Sequence, residues 1–442
     1  MHYVWQYRLL TPADMVTVDG RRISIIDPGR HNTDAGPDFF NAKIKIGERT
    51  WAGDVEMHVR ASDWHRHHHD SDPAYDSVVL HVVDCDDAPI ARRNGEIIPQ
   101  MVMRCSPEFH RRYDMLVGRS DIDLPCAPEI PAIHPLHLRD WITALSYERA
   151  YAKADRLITH LERYTGDWEQ TLYVTLARAL GFSINSEPME RMALSLPLHF
   201  LRKHSDSLTA IEALMFGQAG LLPCSPDPDG TARPQPTGDP YIDSLVREYV
   251  FLAHKFSLRP VTSPGWKMGR MRPQNLPYRR IALLAAMVAG DFRIVRRLLS
   301  AKCPDEAIEL MRMPLTGYWS NRFSFGAASE RSFETMSRAS ATVLVINVAI
   351  PLMIASGMRH GDDALTGRAF EWLTTLPPES NSIVSTFSAA GISARDAFTS
   401  QALIQLRREY CEKHACLLCR IGHRLLAARA KNEEVKNRIY EI

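Results

Sequence analysis

The hydrophobic period of the chain changes once, near residue 130, and that change limits the possible folds more than any other feature. Before it, RRISIID (21–27), NAKIKI (41–46) and WAGDVEMHV (51–59) alternate apolar and polar residues, as strands do. The GER turn at 47–49 predicts a hairpin between the last two. SVVLHVV (77–83) is continuous and β-branched, as suits a strand buried on both faces. Asn94-Gly95 within PIARRNGEIIPQMVMRC (89–105) is a short-hairpin signal. Five or six strands are expected. From residue 136 the spacing becomes helical, beginning with LHLRDWITALSYERAYAKADRLITHLERY (136–164) and continuing to the C-terminus. The expectation is an α+β protein with an N-terminal mixed α/β sheet domain over 1–130 and a large all-α domain over 136–442. The proline-rich stretch 223–240 reads as a loop dividing two helical blocks.

Composition narrows the class. Apolar residues make up 45% of the 442, enough for a large core and against a disordered chain. Lys and Arg number 53 against 52 Asp and Glu, so any case for nucleic acid must rest on local charge. The N-terminus MHYVWQYRLLTPADM lacks the pattern of a signal peptide, which makes the cytoplasm the default compartment. The most apolar stretch, 341–358, contains Asn347, Pro351 and Ser356, and reads as a core helix rather than a membrane span. The oligomeric state is not legible.

The sharpest chemistry lies between residues 37 and 58. Pro37-Asp38 opens one strand, and Glu56-Met57-His58 sits late in the next. Alternation places Asp54, Glu56 and His58 on one face, with Asp38 across the hairpin. Carboxylates held close on rigid strands repel unless a cation lies between them, and oxygen ligands suit Mg²⁺ or Mn²⁺. The other reading is a turn aspartate and a solvated strand face. His65, His67, His68 and His69 follow in DWHRHHHD, with His81 on a strand. They could bind a transition metal, but the plainer reading is a polar loop and, for His81, a hydrogen-bonded core histidine.

Two further clusters stand out. YCEKHACLLCRIGH brings Cys411, His414, Cys416, Cys419 and His423 together, and on a helix Cys416, Cys419 and His423 would share a face. Zn²⁺ or an Fe–S cluster suits such thiolates; an Fe–S cluster would need a fourth cysteine from elsewhere. The alternative is reduced thiols packed in a core. Between Lys255 and Arg297 there are ten basic residues, among them Lys267, Arg270, Arg272, Arg279 and Arg280, against one acid, Asp291. With Phe256, Trp266, Tyr278 and Phe292 interleaved, the segment suits phosphate contact and base stacking, and so a nucleic-acid partner held near an acidic cleft. The plainer reading is ordinary charged helix faces.

The Pro-Asp and acid-X-basic pattern on consecutive strands resembles the PD-(D/E)XK, or restriction-endonuclease-like, nuclease superfamily. That resemblance implies metal-dependent phosphodiester cleavage, with Asp38 and Glu56 as metal ligands and His58 in the position usually held by lysine. The alternative is a non-catalytic nucleic-acid-binding or scaffold protein that keeps the fold. GPDFFNAKI (36–44), GDVEMHVRASDW (53–64), AYDSVVLHVV (74–83), LMFGQAGLL (214–222), RPQNLPYRRIALLA (272–285), YWSNRFSFG (318–326), INVAIPLM (346–353) and CLLCRIGHRLL (416–426) resemble the bacterial domain-of-unknown-function family 2851. This second resemblance implies no established activity. It implies a short acid-containing helix ahead of HYVWQYRLL.

Overall fold

The structure, a computed structural model, describes residues 1–10, 15–104, 107–118, 124–226, 232–261, 265–269, 272–290, 292–326 and 328–427. Cys105, Arg270 and Asp291 lie outside the described residues. The protein is α+β, with a mixed six-stranded sheet in its N-terminal part followed by helices. The chain divides into two compact units, one of Met1–Trp141 with the residues from Arg407 on, the other of Ile142–Leu406.

The first unit opens with helix α1 (His2–Gln6). Its sheet contains β1 (Ile23–Asp27), β2 (Arg30–His31), β3 (Phe39–Ile46), β4 (Arg49–Arg60), β5 (Val78–Cys85) and β6 (Gln100–Val102). The order is β1-β3-β4-β5-β6, with β2 beside β3. The pairs β1/β3 and β3/β4 are antiparallel, and β4/β5 and β5/β6 are parallel. The expected hairpin turns at Gly47, whose φ of +58° suits a residue without Cβ. Asn94-Gly95 also turns the chain, but only the bridge Ala91–Ile97 forms there, and β6 runs on to pair with β5.

Alternation sorts the sheet's two faces. Ile44, Ile46, Val55, Met57, Leu80 and Val82 enter one core together with Val4 and Trp5 of α1. Trp64, Tyr75, Val78, Ile90 and Ile98 form a smaller apolar cluster. Trp64 belongs to the short helix α2 (Asp63–Arg66) that follows β4.

Two residues of β4 fix the local register. A Cβ on Gly53 would meet Val79 Cγ1 at 2.4 Å and the Ser77 carbonyl oxygen at 2.5 Å, so β5 approaches β4 as closely as it does only over glycine. Asp54 accepts the Asn41 amide at 2.9 Å and the Ser77 hydroxyl at 2.6 Å. Asn41 has φ of +57° and stands where the β3/β4 register slips, so this carboxylate secures a bulge.

The second unit is helical around a single large core. Asp167, Ser207 and Asp239 cap the helices Trp168–Leu180, Leu208–Gln218 and Pro240–Phe256 by accepting backbone amides. Arg338–His360 is long and apolar enough to cross a membrane, but 83% of its most apolar window is buried inside the fold, as expected for a core helix. In the proline-rich stretch, Cys224–Pro226 pairs with Ala232–Pro234 as a short antiparallel ribbon.

Candidate metal centre

The register of β3 and β4 sets Asp38 beside Glu56. The Asp38 amide donates to Glu56 Oε2 at 3.1 Å, and the Met57 amide donates to Asp38 Oδ2 at 2.9 Å. Each residue thus braces the other's segment. The Asp38 carboxylate also meets His2 Nε2 of α1 at 3.2 Å.

Glu56 is 5% exposed, and its Oε1 lies 3.4 Å from both His58 Nε2 and His69 Nε2. His67 Nδ1 is 3.2 Å from His58 Nε2. One ligand atom from each of His58, His67 and His69 falls within 4.8 Å of the others. The loop after α2 makes this convergence possible. His69 stacks on Tyr75 at 3.7 Å and meets Trp64 edge-on, while His67 is exposed and opens the cluster to solvent.

Behind His58 lies a second buried imidazole, that of His81. Gln100 Nε2 donates to Asp86 Oδ1 at 2.5 Å, which leaves Gln100 Oε1 as the acceptor directed inward. His81, opposite both Gln100 and Glu56 in the sheet, is fully buried. Among the described residues its Nδ1 and Gln100 Oε1 have no partner at hydrogen-bond distance. His58 Nδ1 and His81 Nε2 share a hydrogen bond at 2.9 Å, one ring donating and the other accepting. The other ring nitrogen of His58, Nε2, faces Glu56 Oε1 and His67 Nδ1. A ring N–H anchored behind and a lone pair in front is how a metal-binding histidine is oriented.

The electrostatics fit a site that lacks positive charge. Burial, then the neighbouring Asp38 charge, pushes the Glu56 carboxyl up to about 8. Burial, then His69 and His67, pushes His58 down to about 4. Burial, then His58, takes His81 down to about 3, and His69 is lowered by burial and His67. Burial works to raise Asp38, but the hydrogen bond and charge of His2, the Met57 amide and His58 outweigh it and hold the carboxyl below its ordinary value. Neutral imidazoles with one ionised and one strained carboxyl form a donor set that a divalent cation would complete.

The sequence pattern thus finds Asp38, Glu56 and His58 side by side. Of the histidine run, His67 and His69 join them, while His65 pairs with Asp70 at 3.2 Å instead. His81 is a hydrogen-bonded core histidine, as expected, and its partner is His58. His2 gives no signal in the sequence.

The remaining candidates are placed differently. Cys411 ends the π-helical turn Leu406–Cys411, and Cys416 and Cys419 lie in the turn before helix Arg420–Ala427. They do not share a helical face with His423, which pairs through Nδ1 with the Tyr3 hydroxyl at 2.8 Å. In the second unit Lys267 and Arg272 are exposed. Arg279 and Arg280 are 4% and 3% exposed. Arg279 lies 4.6 and 4.7 Å from the ring centres of Phe323 and Phe333, and Arg280 lies 4.1 Å from that of Phe182. Burial lowers both guanidinium pKa values, Arg280 to about 10. The interleaved aromatics are core residues too: Phe292 is buried, and Trp266 donates its indole N–H to the Ala219 carbonyl at 2.8 Å.

Fold and site together define an α+β protein with a histidine–carboxylate pocket built on a mixed sheet. The chain belongs to the family described as Protein of unknown function (DUF2851), whose model matches residues 1–382. The string at 416–426 falls outside that match. No curated protein and no solved structure matches the chain.

Proposed function

We propose that the first unit is a metal-dependent phosphodiesterase acting on nucleic acid. The observation that carries this reading is the placement of Glu56 Oε1 at 3.4 Å from both His58 Nε2 and His69 Nε2, beside Asp38. Glu56, His58 and His69 would hold the ion, with His67 at its open side. Mn²⁺ accepts the carboxylates and tolerates imidazole better than Mg²⁺ does. Such an ion lowers the pKa of a bound water and polarises a phosphoryl oxygen.

The chain's own groups do the rest. Asp38 stays ionised at neutral pH and can orient water. His58, neutral at pH 7, cannot replace the fixed charge of a lysine; it serves as ligand through Nε2, with Nδ1 held by His81. Nucleic acid as substrate is supported by the resemblance carried by Pro37-Asp38 and Glu56-Met57-His58.

The test is cleavage of single- and double-stranded DNA and RNA with Mn²⁺ or Mg²⁺. Wild type should cut at least one substrate with Mn²⁺, and Glu56→Gln and Asp38→Asn should each lose about 10²–10⁴-fold in rate. Salt-sensitive binding without cleavage would instead identify a nucleic-acid-binding protein that keeps the fold without the chemistry.

A further inference from the structure

Helix Pro240–Phe256 buries an apolar side that includes Ile242, Leu245, Tyr249 and Leu252. Its outer side, at helical spacing, carries Arg247, Phe251, His254 and Lys255, all exposed. Phe251 is 62% exposed, a large apolar ring left to solvent.

The C-terminal end of this helix meets helix Leu198–Arg202. The Phe256 and Phe200 rings lie 4.7 Å apart, centre to centre, and both are half-buried. The Lys203 ammonium stands 5.7 Å from the Phe200 ring centre and 5.5 Å from that of Phe256, and the Lys255 ammonium 5.2 Å from Phe256. His199 packs on Phe200 at 4.1 Å, and His204 meets Phe256 edge-on at 5.7 Å. Cations and rings thus alternate across one surface of the second unit, which contains both helices.

The charge on this surface is not balanced locally. Elsewhere in the unit Arg312 pairs with Glu309, and Arg338 with Asp305 and Glu309. Among the described residues neither Lys203 nor Lys255 forms an ion pair. Of the acids nearby, Asp243 is taken up by the Thr237 amide and hydroxyl at 2.8 and 2.9 Å, Glu248 is half-buried, and Asp206 is exposed beyond the shorter helix. His254 and Lys255 stand where cations complement the negative end of a helix, but that role does not account for Lys203, Arg247 or the exposed Phe251 ring.

Charge and ring together select the partner. An excess of ammonium and guanidinium groups suits a polyanion. A free ring stacks on a base only where neighbouring bases leave its face open, as in a single strand. A membrane surface would need a broad apolar face, whereas Phe251 is flanked by Arg247, His254 and Lys255.

We propose that the outer face of helix Pro240–Phe256, with Lys203, binds single-stranded nucleic acid. Lys203, Arg247 and Lys255 meet phosphates, and Phe251 stacks on a base. The inference rests on nucleic acid as the partner in the proposed function and adds a strand preference and a surface on the second unit.

The test is fluorescence anisotropy of labelled single-stranded and duplex oligonucleotides with the full chain, in a chelator so that no metal is bound and nothing is cut. The wild type should bind the single strand more tightly than the duplex. Phe251→Ala should weaken single-strand binding about 5–100-fold and leave binding of heparin, a polyanion without bases, unchanged. Lys203→Gln with Lys255→Gln should lower the salt slope for the single strand by about 0.7 per lysine. All three side chains are exposed, so melting should be nearly that of the wild type. Single-strand affinity unchanged in Phe251→Ala, a preference for duplex, or binding of phosphatidylserine vesicles in place of nucleic acid would each overturn the proposal. Single-strand binding that depends on Phe251, in a protein that cuts nothing with Mn²⁺, would uphold this surface and refute the phosphodiesterase reading alone.

Discussion

Glu56 and the imidazoles around it titrate in opposite senses, and that makes the site visible without a ligand. The Glu56 carboxyl holds its proton up to about pH 8 in the fold, against 4.5 in the unfolded chain. Its contribution to stability is complete below 4.5 and is lost as the pH rises through about 8. For His58 and His81 the folded values, about 4 and about 3, lie below the unfolded 6.5. Their contribution is complete above 6.5 and is lost as the pH falls through those values. Between pH 6.5 and 8 Glu56 therefore dominates this group. The metal-free protein should lose melting temperature across that window, and Glu56→Gln should flatten the profile. A wild-type profile already flat there would mean that Glu56 ionises normally. A second residue-scale prediction concerns His81, which touches no ion yet orients His58. His81→Ala should weaken metal affinity by about 10–100-fold, as loss of a group behind a metal ligand does, in a competition titration against a chelating dye. Unchanged affinity would show that His58 does not depend on His81 for its orientation.

At the scale of elements, the site depends on how closely β4 meets β5 and on the bulge in β3. Gly53→Ala forces a Cβ into the Ser77 carbonyl and the Val79 side chain. It should cost about 1–3 kcal/mol in urea unfolding, as overpacking does. A change within about 0.5 kcal/mol would show that the strands separate easily. These elements were largely legible. Period two in NAKIKI and WAGDVEMHV gave the hairpin, and with it Asp38, Glu56 and His58 as neighbours. What escaped notice was long-range or ambiguous. In a run of three histidines, spacing cannot say that His67 and His69, not His68, reach His58 and Glu56. The His81–His58 contact depends on a parallel β4/β5 register that no turn encodes. His2 meets Asp38 only after the chain has folded back.

At the scale of the whole molecule, composition hid a division of labour among the arginines. The basic segment looked like one surface, yet Arg279 and Arg280 are buried against phenylalanines distant in sequence, while Lys255, Arg259, Lys267, Arg272, Arg293, Arg296 and Arg297 are exposed. Arg280→Ala should destabilise the helical unit by about 1.5–3 kcal/mol through loss of its charged hydrogen bond to Asn275. The double change Lys267→Glu, Arg272→Glu should leave melting nearly unchanged and reduce the salt dependence of any nucleic-acid binding by about one phosphate contact per residue. Filter binding over a salt series checks this, and an unaltered slope would exclude both residues from the contact. The central claim, a divalent ion held by Glu56 with His58 and His69, is tested most directly by calorimetric titration of Mn²⁺ into wild type and Glu56→Ala. One site per chain in the wild type that vanishes in the variant is the predicted result; equal binding by both proteins, or none by the wild type, would contradict it.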